Sequence, residues 1–288
     1  MARISIIIPV FNRQQPAERA VRSALEQNFP DAEIVIVDDG SRPPFALPPA
    51  LARANVRVVS QANGGAAAAR NAGIAAARGE WIALLDSDDY WVPGTLAPRF
   101  ALAERDFAAD PNTLVAHVAG FVLYNVRSGR RETRIPRASG NPLDFASGCW
   151  FSPGSTLLIR KDVFRKIGPF DPQLRRLEDL DWFLRFARAG GRVERLPKVA
   201  AMIELGAKPE IAVLESAARR LLAKYAASGS PDLLPPTCVR RLTAYLNLER
   251  ASVFAARRQW PRMLWSLARS LARVPRTSLH LQQFWDAA

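Results

Sequence analysis

The chain has 288 residues, of which 49% are hydrophobic, and a formal net charge of +13. That length allows one large hydrophobic core with an addition, and no apolar run approaches the roughly 20 residues of a membrane-spanning helix. Two cysteines, Cys149 and Cys238, are too few and too far apart for a disulfide scaffold, so we expect free thiols in a reducing compartment.

Three short apolar runs, at residues 4–8, 33–37 and 81–85, predict buried strands. Residues 56–59 predict a fourth strand, and residues 66–77 predict a helix. Near-continuous apolar strands that alternate with helices indicate a mostly parallel sheet covered on both faces. We therefore expect an α/β fold whose ligands bind at the carboxyl ends of the strands.

The residues that follow these strands are typical of a nucleotide-diphosphate site. Phe11 offers an aromatic face, the pair Asp38 and Asp39 follows the second strand, and residues 86–89 read Asp-Ser-Asp-Asp. Carboxylates this close repel one another unless a cation lies among them, and Mg²⁺ is held by one or two carboxylates plus phosphates. The alternative for the last cluster is a solvated acidic turn that caps a helix starting at Pro93.

In their order along the chain, these motifs resemble those of the inverting glycosyltransferases of family two. The matching segments are residues 8–12, 37–41, 63–73, 85–89 and 168–182. The resemblance covers roughly residues 3–203 and implies a GT-A-like, mostly parallel mixed sheet flanked by helices. It also implies a nucleotide-sugar donor, inversion at the anomeric carbon, and Mn²⁺ or Mg²⁺ as the cofactor.

The resemblance assigns donor-binding roles to eight residues: Pro9, Phe11, Asp38, Asp39, Gly65, Arg70, Asp86 and Ser155. Phe11 would lie against the base, Asp39 would accept a base N–H, and Asp38 would hold the turn or the nucleoside. Ser155 would bind a sugar hydroxyl, although an ordinary turn before the strand predicted at residues 157–160 is the alternative.

The metal would be bound by Asp88, with Asp86 reaching either the ribose or the metal. Asp89 is expected to cap the following helix. Arg70 would bind the diphosphate or the acidic turn beside it, and the alternative for it is a structural ion pair with Asp38 or Asp88.

The resemblance makes Asp179 the catalytic base, with Asp181 as the second choice and Glu178 as the least favoured. Inverting transfer needs one carboxylate to take the proton of the acceptor hydroxyl. The alternative is that these acids only complement the positive end of the helix that they open. Trp150 and Phe151 are expected to pack in the core, with stacking on a sugar ring as the alternative. His117 is expected to be a core or edge histidine and not a ligand.

The composition shifts after residue 204, so we divide the chain into a catalytic domain, residues 1–204, and a basic helical appendage, residues 205–288. The appendage contains 13 Lys and Arg but only 5 Asp and Glu. Three helices are predicted, at about residues 210–227, 237–258 and 260–273.

The last predicted helix carries leucines on one face and Arg262, Arg269 and Arg273 on the other. Its leucine face could pack on the catalytic domain. Alternatively, the helix lies on an anionic membrane surface, with Trp260, Trp265 and Trp285 as anchors. Nucleic acid is not an expected partner, because no nucleic-acid-binding motif is present and the acids at residues 86–89 would repel a phosphate backbone.

We therefore predict a metal-dependent inverting glycosyltransferase that uses a UDP-sugar and a saccharide or lipid-linked acceptor, in polysaccharide or glycoconjugate synthesis. The alternative function is non-catalytic binding of a nucleotide sugar or of an anionic surface. Because the first strand begins near residue 4 and leaves no room for a signal peptide, we expect a cytoplasmic protein, peripheral at the inner face of the membrane.

Overall fold

The computed structural model describes residues 2–126 and 128–275, together with the backbone of residues 285–286. Its strands are β1 (Ile4–Val10), β2 (Ala32–Asp38), β3 (Val56–Ser60), β4 (Trp81–Leu84), β5 (Tyr90–Trp91), β6 (Val115–Tyr124), β7 (Arg131–Pro136), β8 (Leu158–Arg160), β9 (Arg192–Glu204) and β10 (Trp285–Asp286). Its helices are α1 (Gln14–Leu25), α2 (Ala66–Ala76), α3 (Leu96–Ala109), α4 (Pro142–Phe145), α5 (Pro153–Thr156), α6 (Lys161–Ile167), α7 (Glu178–Arg188), α8 (Ile211–Ala226), α9 (Pro236–Ala256) and α10 (Trp260–Leu271).

The sheet has the order β10-β7-β6-β8-β4-β1-β2-β3. The strands β3, β2, β1 and β4 are parallel, with Ile7 opposite Val35 on one side and Leu84 on the other. The strand β8 pairs antiparallel with both β4 and β6, and β7 pairs antiparallel with β6. The strand β9 runs parallel to β6 and antiparallel to β5. The expected α/β fold, with a mixed sheet flanked by helices, is confirmed.

Alternate side chains of the central strands enter two separate cores, one on each face of the sheet. Ile6 and Ile8 pack with α1 and α3, whereas Ile7 packs with α2 and α7. This explains why the central strands are mostly apolar on both faces instead of alternating with polar residues. The helix α2 lies very close to β1, since a Cβ on Gly73 would come within 2.3 Å of Ile7 Cγ2.

The helix after the acidic turn begins later than expected. It starts at Leu96, not at Pro93, and its first amides donate to Gln27 Oε1 from Thr95 N and Leu96 N, each at 3.0 Å. The prediction that Asp89 caps this helix is therefore wrong. Gln27, which is 5% exposed at the end of α1, takes that position because it reaches across from the neighbouring element.

The C-terminal helices α8 and α9 share the core that contains α7. Leu214, Leu221, Leu242 and Leu246 pack in the same cluster as Phe183. In the described residues, no helix is both long and apolar enough to cross a membrane.

The orientation of α10 differs from one of the two expectations. Its buried residues are Ser266 and Ser270, and Ser270 Oγ donates to Ala244 O of α9 at 2.9 Å. Leu264 and Trp265 are 60% and 66% exposed. The expectation that α10 packs through its leucine face is therefore wrong, because small serines allow a closer approach to α9. The side chain of Trp285 lies outside the described residues.

Asp181 joins α7 to α8. Its side chain is fully buried, and its carboxylate accepts hydrogen bonds from Lys224 Nζ at 2.7 Å, Tyr225 Oη at 2.8 Å and Arg185 Nε at 3.1 Å. Burial, followed by the negative charge of Asp181 and the hydrogen bond to it, raises the pKa of Tyr225. Asp181 therefore serves as an internal partner for two cations.

We expect Asp181→Ala to lower the free energy of unfolding by about 3–5 kcal/mol, because two partly buried cations lose their shared anion. Urea denaturation followed by circular dichroism measures this loss. The matched control is Asp162→Ala on the shorter helix α6, which we expect to cost about 1 kcal/mol or less because its ion pairs are more exposed. Equal effects of the two substitutions would contradict the structural role of Asp181.

Candidate functional site

The turns after β1 and β2 are tied together at the sheet edge. Asn12 N donates to Ser41 Oγ at 2.9 Å, and Arg42 N donates to Asn12 Oδ1 at 2.8 Å. Asn12 has a left-handed backbone with φ of 52°, and the neighbouring Phe11 is 46% exposed. This turn leaves the aromatic face of Phe11 open to solvent, as stacking on a planar ring requires.

Asp38 holds the turn that follows its own strand. Its carboxylate accepts from Ser41 N at 3.0 Å and Phe45 N at 2.9 Å, and the side chain is buried. Burial opposes ionisation, but the hydrogen bonds lower the pKa of Asp38 below its usual value. Of the two expected roles, holding the turn matches these contacts.

Asp39 holds the glycine loop before α2. Its two oxygens accept from Gly64 N and Gly65 N, each at 2.8 Å, and from Gln61 Nε2 at 2.7 Å and Asn63 Nδ2 at 3.2 Å. Four donors fill the acceptor capacity of a carboxylate. A base N–H that bonds Asp39 would therefore have to replace one of these donors.

The three acids at residues 86–89 point in different directions. Asp86 Oδ1 accepts from Arg70 Nη2 at 2.7 Å, whereas Asp88 pairs with Arg13. Asp89 accepts from Glu204 N at 2.9 Å and from the Ser155 hydroxyl. Burial and the charge of Asp86 raise the pKa of Asp88, and they raise that of Asp89 to about 8. The three acids of the turn thus disfavour one another's ionisation.

Asp86 lies against the backbone of α5. A Cβ built on Gly154 would come within 2.2 Å of Asp86 Oδ2, so any larger residue there would displace the carboxylate. Ser155, 1% exposed, accepts from Asp86 N at 3.2 Å while its hydroxyl donates to Asp89. These internal bonds match the alternative expectation for Ser155, an ordinary turn residue.

Arg70 connects the acidic turn to α7. Its side chain is 7% exposed and donates from Nη1 to Glu178 Oε1 at 2.8 Å, in addition to its bond with Asp86. Burial acts to lower the pKa of Arg70, but the charges of Asp86 and Glu178 raise it overall. The bond to Asp86 matches the expectation that Arg70 binds the acidic turn, whereas neither Asp38 nor Asp88, the partners expected in the alternative, pairs with it.

Asp179 is the neighbour of Glu178 in the first turn of α7. Leu180 N donates to its Oδ1 at 2.7 Å. Burial, followed by the negative charge of Glu178, raises the pKa of Asp179 to about 6, against the opposing charges of Arg176 and Arg70. A carboxylate with this pKa is a stronger base than an ordinary aspartate and is still ionised at neutral pH.

A cleft of about 520 Å³ joins these parts. It is lined by seven of the residues that the sequence singled out, namely Arg70, Asp86, Asp88, Asp89, Ser155, Glu178 and Asp179. The other predicted binding residues are not part of its lining. Pro9, Phe11, Asp38 and Asp39 lie at or just after the ends of β1 and β2, and Gly65 immediately precedes α2. Asp181 is also outside the cleft lining, in the interior contact with α8.

The cleft also includes residues that the sequence did not indicate. Arg176, the segment 203–209 after β9, and Tyr245 of α9 line it. Tyr245 Oη donates to Glu249 at 2.9 Å. The sequence could have indicated Arg176, because the pair Arg175 and Arg176 lies next to the acids of α7. It could not have indicated Tyr245, which lies 66 residues beyond Asp179 with no motif around it.

Among the described residues, no group of three or more His, Cys, Asp or Glu side chains is arranged so that it could hold a metal ion. Asp86 and Asp88 nevertheless fit a partial ligand set. Both offer hard oxygen atoms on the wall of the cleft, and Mg²⁺ commonly completes such a set with substrate phosphates and water.

Comparison with protein families gives a match over residues 5–168 to the family described as Glycosyl transferase family 2. Among curated proteins, an uncharacterised glycosyltransferase of Nostoc is 30% identical over 59% of this chain and 54% of its own length. The putative colanic acid biosynthesis glycosyl transferase WcaA of Escherichia coli is 28% identical over 70% of this chain and 72% of its own. The succinoglycan biosynthesis protein ExoW of Rhizobium meliloti is 26% identical over 99% of this chain and 94% of its own.

The chain spans 54–58% of the length of the Nostoc relative and of two similar Rickettsia proteins. Among solved structures, residues 1–349 of S. aureus TarS match with a TM-score of 0.57 in the UDP complex and 0.59 in the UDP-GlcNAc complex. Those matches cover 96% of this chain and 82% of the other, at 21% and 20% identity respectively. Such a likeness establishes the fold.

We expect the Asp179 carboxyl to titrate near pH 6. In Glu178→Gln its pKa should fall toward the usual aspartate value, because a neighbouring negative charge is removed while Arg70 and Arg176 remain. Carboxyl ¹³C NMR, with Asp179 assigned through Asp179→Asn, measures both values. Glu132→Gln, on the distant strand β7, is the control. An unshifted Asp179 in Glu178→Gln would contradict the electrostatic origin of its pKa.

Proposed function

Because the chain belongs to glycosyl transferase family 2, we propose that it transfers a sugar from a UDP-sugar to a saccharide or lipid-linked acceptor, with inversion. The observation that carries this proposal is the double ion pair of Arg70. Through it, the acids of the turn after β4 and the first turn of α7 line one cleft. The names of WcaA and ExoW, which refer to polysaccharide synthesis, support a saccharide product.

Support for a UDP-sugar comes from TarS, which shares this fold and has been crystallised with UDP and with UDP-GlcNAc. In this chain Phe11 is free to stack on the base, and the tied turns around Asp38 and Asp39 would hold the nucleoside beside it. The Nη1 and Nη2 atoms of Arg70 are already bonded to Glu178 and Asp86, so Arg70 would act on a diphosphate through the attraction of its positive charge.

In the proposed reaction, the acceptor hydroxyl oxygen attacks the anomeric carbon and forms the new glycosidic bond. Asp179 takes the hydroxyl proton, while the bond from the anomeric carbon to the β-phosphate oxygen breaks and the nucleoside diphosphate leaves with the electron pair. Attack from the face opposite the leaving group inverts the configuration. One carboxylate suffices, unlike in retaining hydrolysis, where a second acts as nucleophile.

Mn²⁺ or Mg²⁺ would be held by Asp88 together with Asp86. When bound, the cation supplies a Lewis acid that neutralises the departing diphosphate. Gly154 leaves the space that Asp86 occupies. Burial and the nearby negative charge of Asp86 raise the pKa of Asp88, and a cation would balance that charge.

An anionic membrane surface is a proposed further partner, at which a lipid-linked acceptor would be found. The exposed leucines and tryptophans of α10 support it, because they lie beside exposed arginines.

We expect Asp179→Asn to reduce sugar transfer by about 10²–10⁴-fold, the usual contribution of a general base, and to leave UDP affinity unchanged. Product formation from a UDP-sugar and calorimetric titration of UDP measure the two effects. In the unaltered protein, kcat/KM should rise with pH and level off above about 6, because Asp179 acts in its ionised form.

Asp162→Asn, a carboxylate on α6 away from the cleft, is the matched control and should retain transfer. If Asp179→Asn also retained it, the base would have to be another group. Asp181 is a poor substitute because its carboxylate is fully buried between Lys224 and Arg185.

We expect Asp88→Asn to abolish the dependence of UDP binding on Mn²⁺. Calorimetric titration of UDP and of GDP, with and without Mn²⁺, measures it. The unaltered protein should bind UDP more tightly with the metal, and the exposed control Asp31→Asn should behave in the same way. Metal-dependent UDP binding that persists in Asp88→Asn would show that Asp88 is not the metal ligand. Tighter binding of GDP than of UDP would show that the donor is a GDP-sugar.

A further inference from the structure

A second cavity lies between α8, α9 and α10. It measures about 580 Å³, and none of its lining residues lines the cleft. We refer to it as the helical groove. Its walls carry the guanidinium groups of Arg250, Arg262, Arg269 and Arg273.

The charge of the helical groove is unbalanced. Glu215 is the one acid in its lining, and Arg250 donates to both of its oxygens, at 2.7 and 3.0 Å. No carboxylate of the described residues forms an ion pair with Arg262, Arg269 or Arg273. Three positive charges therefore remain around one concave surface, which favours an anion.

A buried hydrogen-bond donor in the helical groove has no partner. Asn247 is 1% exposed, and its Oδ1 accepts from Arg250 Nη1 at 3.1 Å, which fixes the amide orientation. Asn247 Nδ2 has no hydrogen-bond partner among the described residues. An unmade hydrogen bond of a buried amide costs stability, and an acceptor oxygen in the groove would remove that cost.

The rim of the helical groove is apolar on the side of α10. Trp265, which lines the groove, is 66% exposed, and Trp260 and Leu264 of the same helix are 54% and 60% exposed. Tryptophan and leucine next to arginine are typical of helices that lie in the interface of an anionic bilayer. The ligand therefore combines an anionic head with an apolar body.

We propose that the helical groove binds the phosphate of an anionic phospholipid headgroup, with the exposed face of α10 in the membrane interface. The phosphate oxygens accept from Arg262, Arg269 and Asn247 Nδ2. Guanidinium forks suit this role because they can donate two parallel hydrogen bonds to one phosphate. The inference rests on the membrane partner proposed above and is independent of sugar transfer.

The test is flotation of the full chain with vesicles of phosphatidylcholine, with and without 30 mol% (about one lipid in three) phosphatidylglycerol. We expect binding to the anionic vesicles only. Arg262→Gln/Arg269→Gln should weaken it by about tenfold or more, since each arginine near the surface contributes appreciably. The matched control Arg22→Gln/Arg53→Gln removes two charges from another surface cavity, of about 600 Å³, and should change binding by less than about threefold.

A second pair of variants separates a phosphate site from diffuse attraction. Arg262→Lys/Arg269→Lys keeps the charge but loses the guanidinium fork, so we expect it to weaken binding several-fold. If this variant bound anionic vesicles as tightly as the unaltered protein, the phosphate site in the groove would be overturned, and general attraction between the basic surface and the vesicles would explain binding. All variants should keep the unaltered melting temperature, because both arginines are exposed.

The remaining outcomes identify other occupants. If the unaltered protein failed to bind anionic vesicles, both the membrane partner and the groove site would be overturned, while sugar transfer stayed open. Calorimetric binding of inorganic phosphate with no preference for vesicles would make a free anion the ligand. Sedimentation velocity that showed a dimer dissociating in Arg262→Gln/Arg269→Gln would make a second copy the occupant. Either result would overturn the proposal that the helical groove binds a phospholipid.

Discussion

The buried guanidinium of Arg70 is the constraint on which the cleft depends. It lies between Asp86 and Glu178, which come from elements 92 residues apart, and above the ring of Phe170 at 5.9 Å. A cation so far removed from water is stable only with anions beside it, and the two carboxylates in turn need the cation. This mutual requirement holds the end of β4 against the start of α7. It also places Asp179 next to Glu178, in the lining of the open cleft.

The strands and their ends could be predicted from the sequence because their signals are local. Apolar runs, turn residues and acid clusters all lie within a few neighbours of one another, and parallel strands bring their carboxyl ends to one edge. What each side chain does there could not be predicted in the same way. Asp38, Asp39 and Ser155 bond amides or carboxylates of their own and neighbouring turns. Sequence patterns identify such a residue as polar but do not reveal how many of its bonds are already made.

The partners of Arg70 and the position of Tyr245 illustrate the same limit over longer distances. Glu178 is 108 residues from Arg70, and Tyr245 reaches the cleft from a helix that lies outside the motifs. For α10, the hydrophobic periodicity predicts the helix correctly but does not predict which face of the helix packs against α9. Two serines face α9 because a hydroxyl can donate to the Ala244 carbonyl at close range, and the leucines then turn outward.

Tyr245 and Asn247 stand two residues apart on α9, one at the cleft and the other in the helical groove. They differ by about 200° around the helix and by about 3 Å along its axis, so they point to opposite sides of one rigid element. Whatever surface occupies the groove is thus kept at a constant height from the cleft. An acceptor anchored in that surface would reach the enzyme by lateral diffusion, and the encounter rate would follow its density per unit area instead of its concentration in the bulk solution.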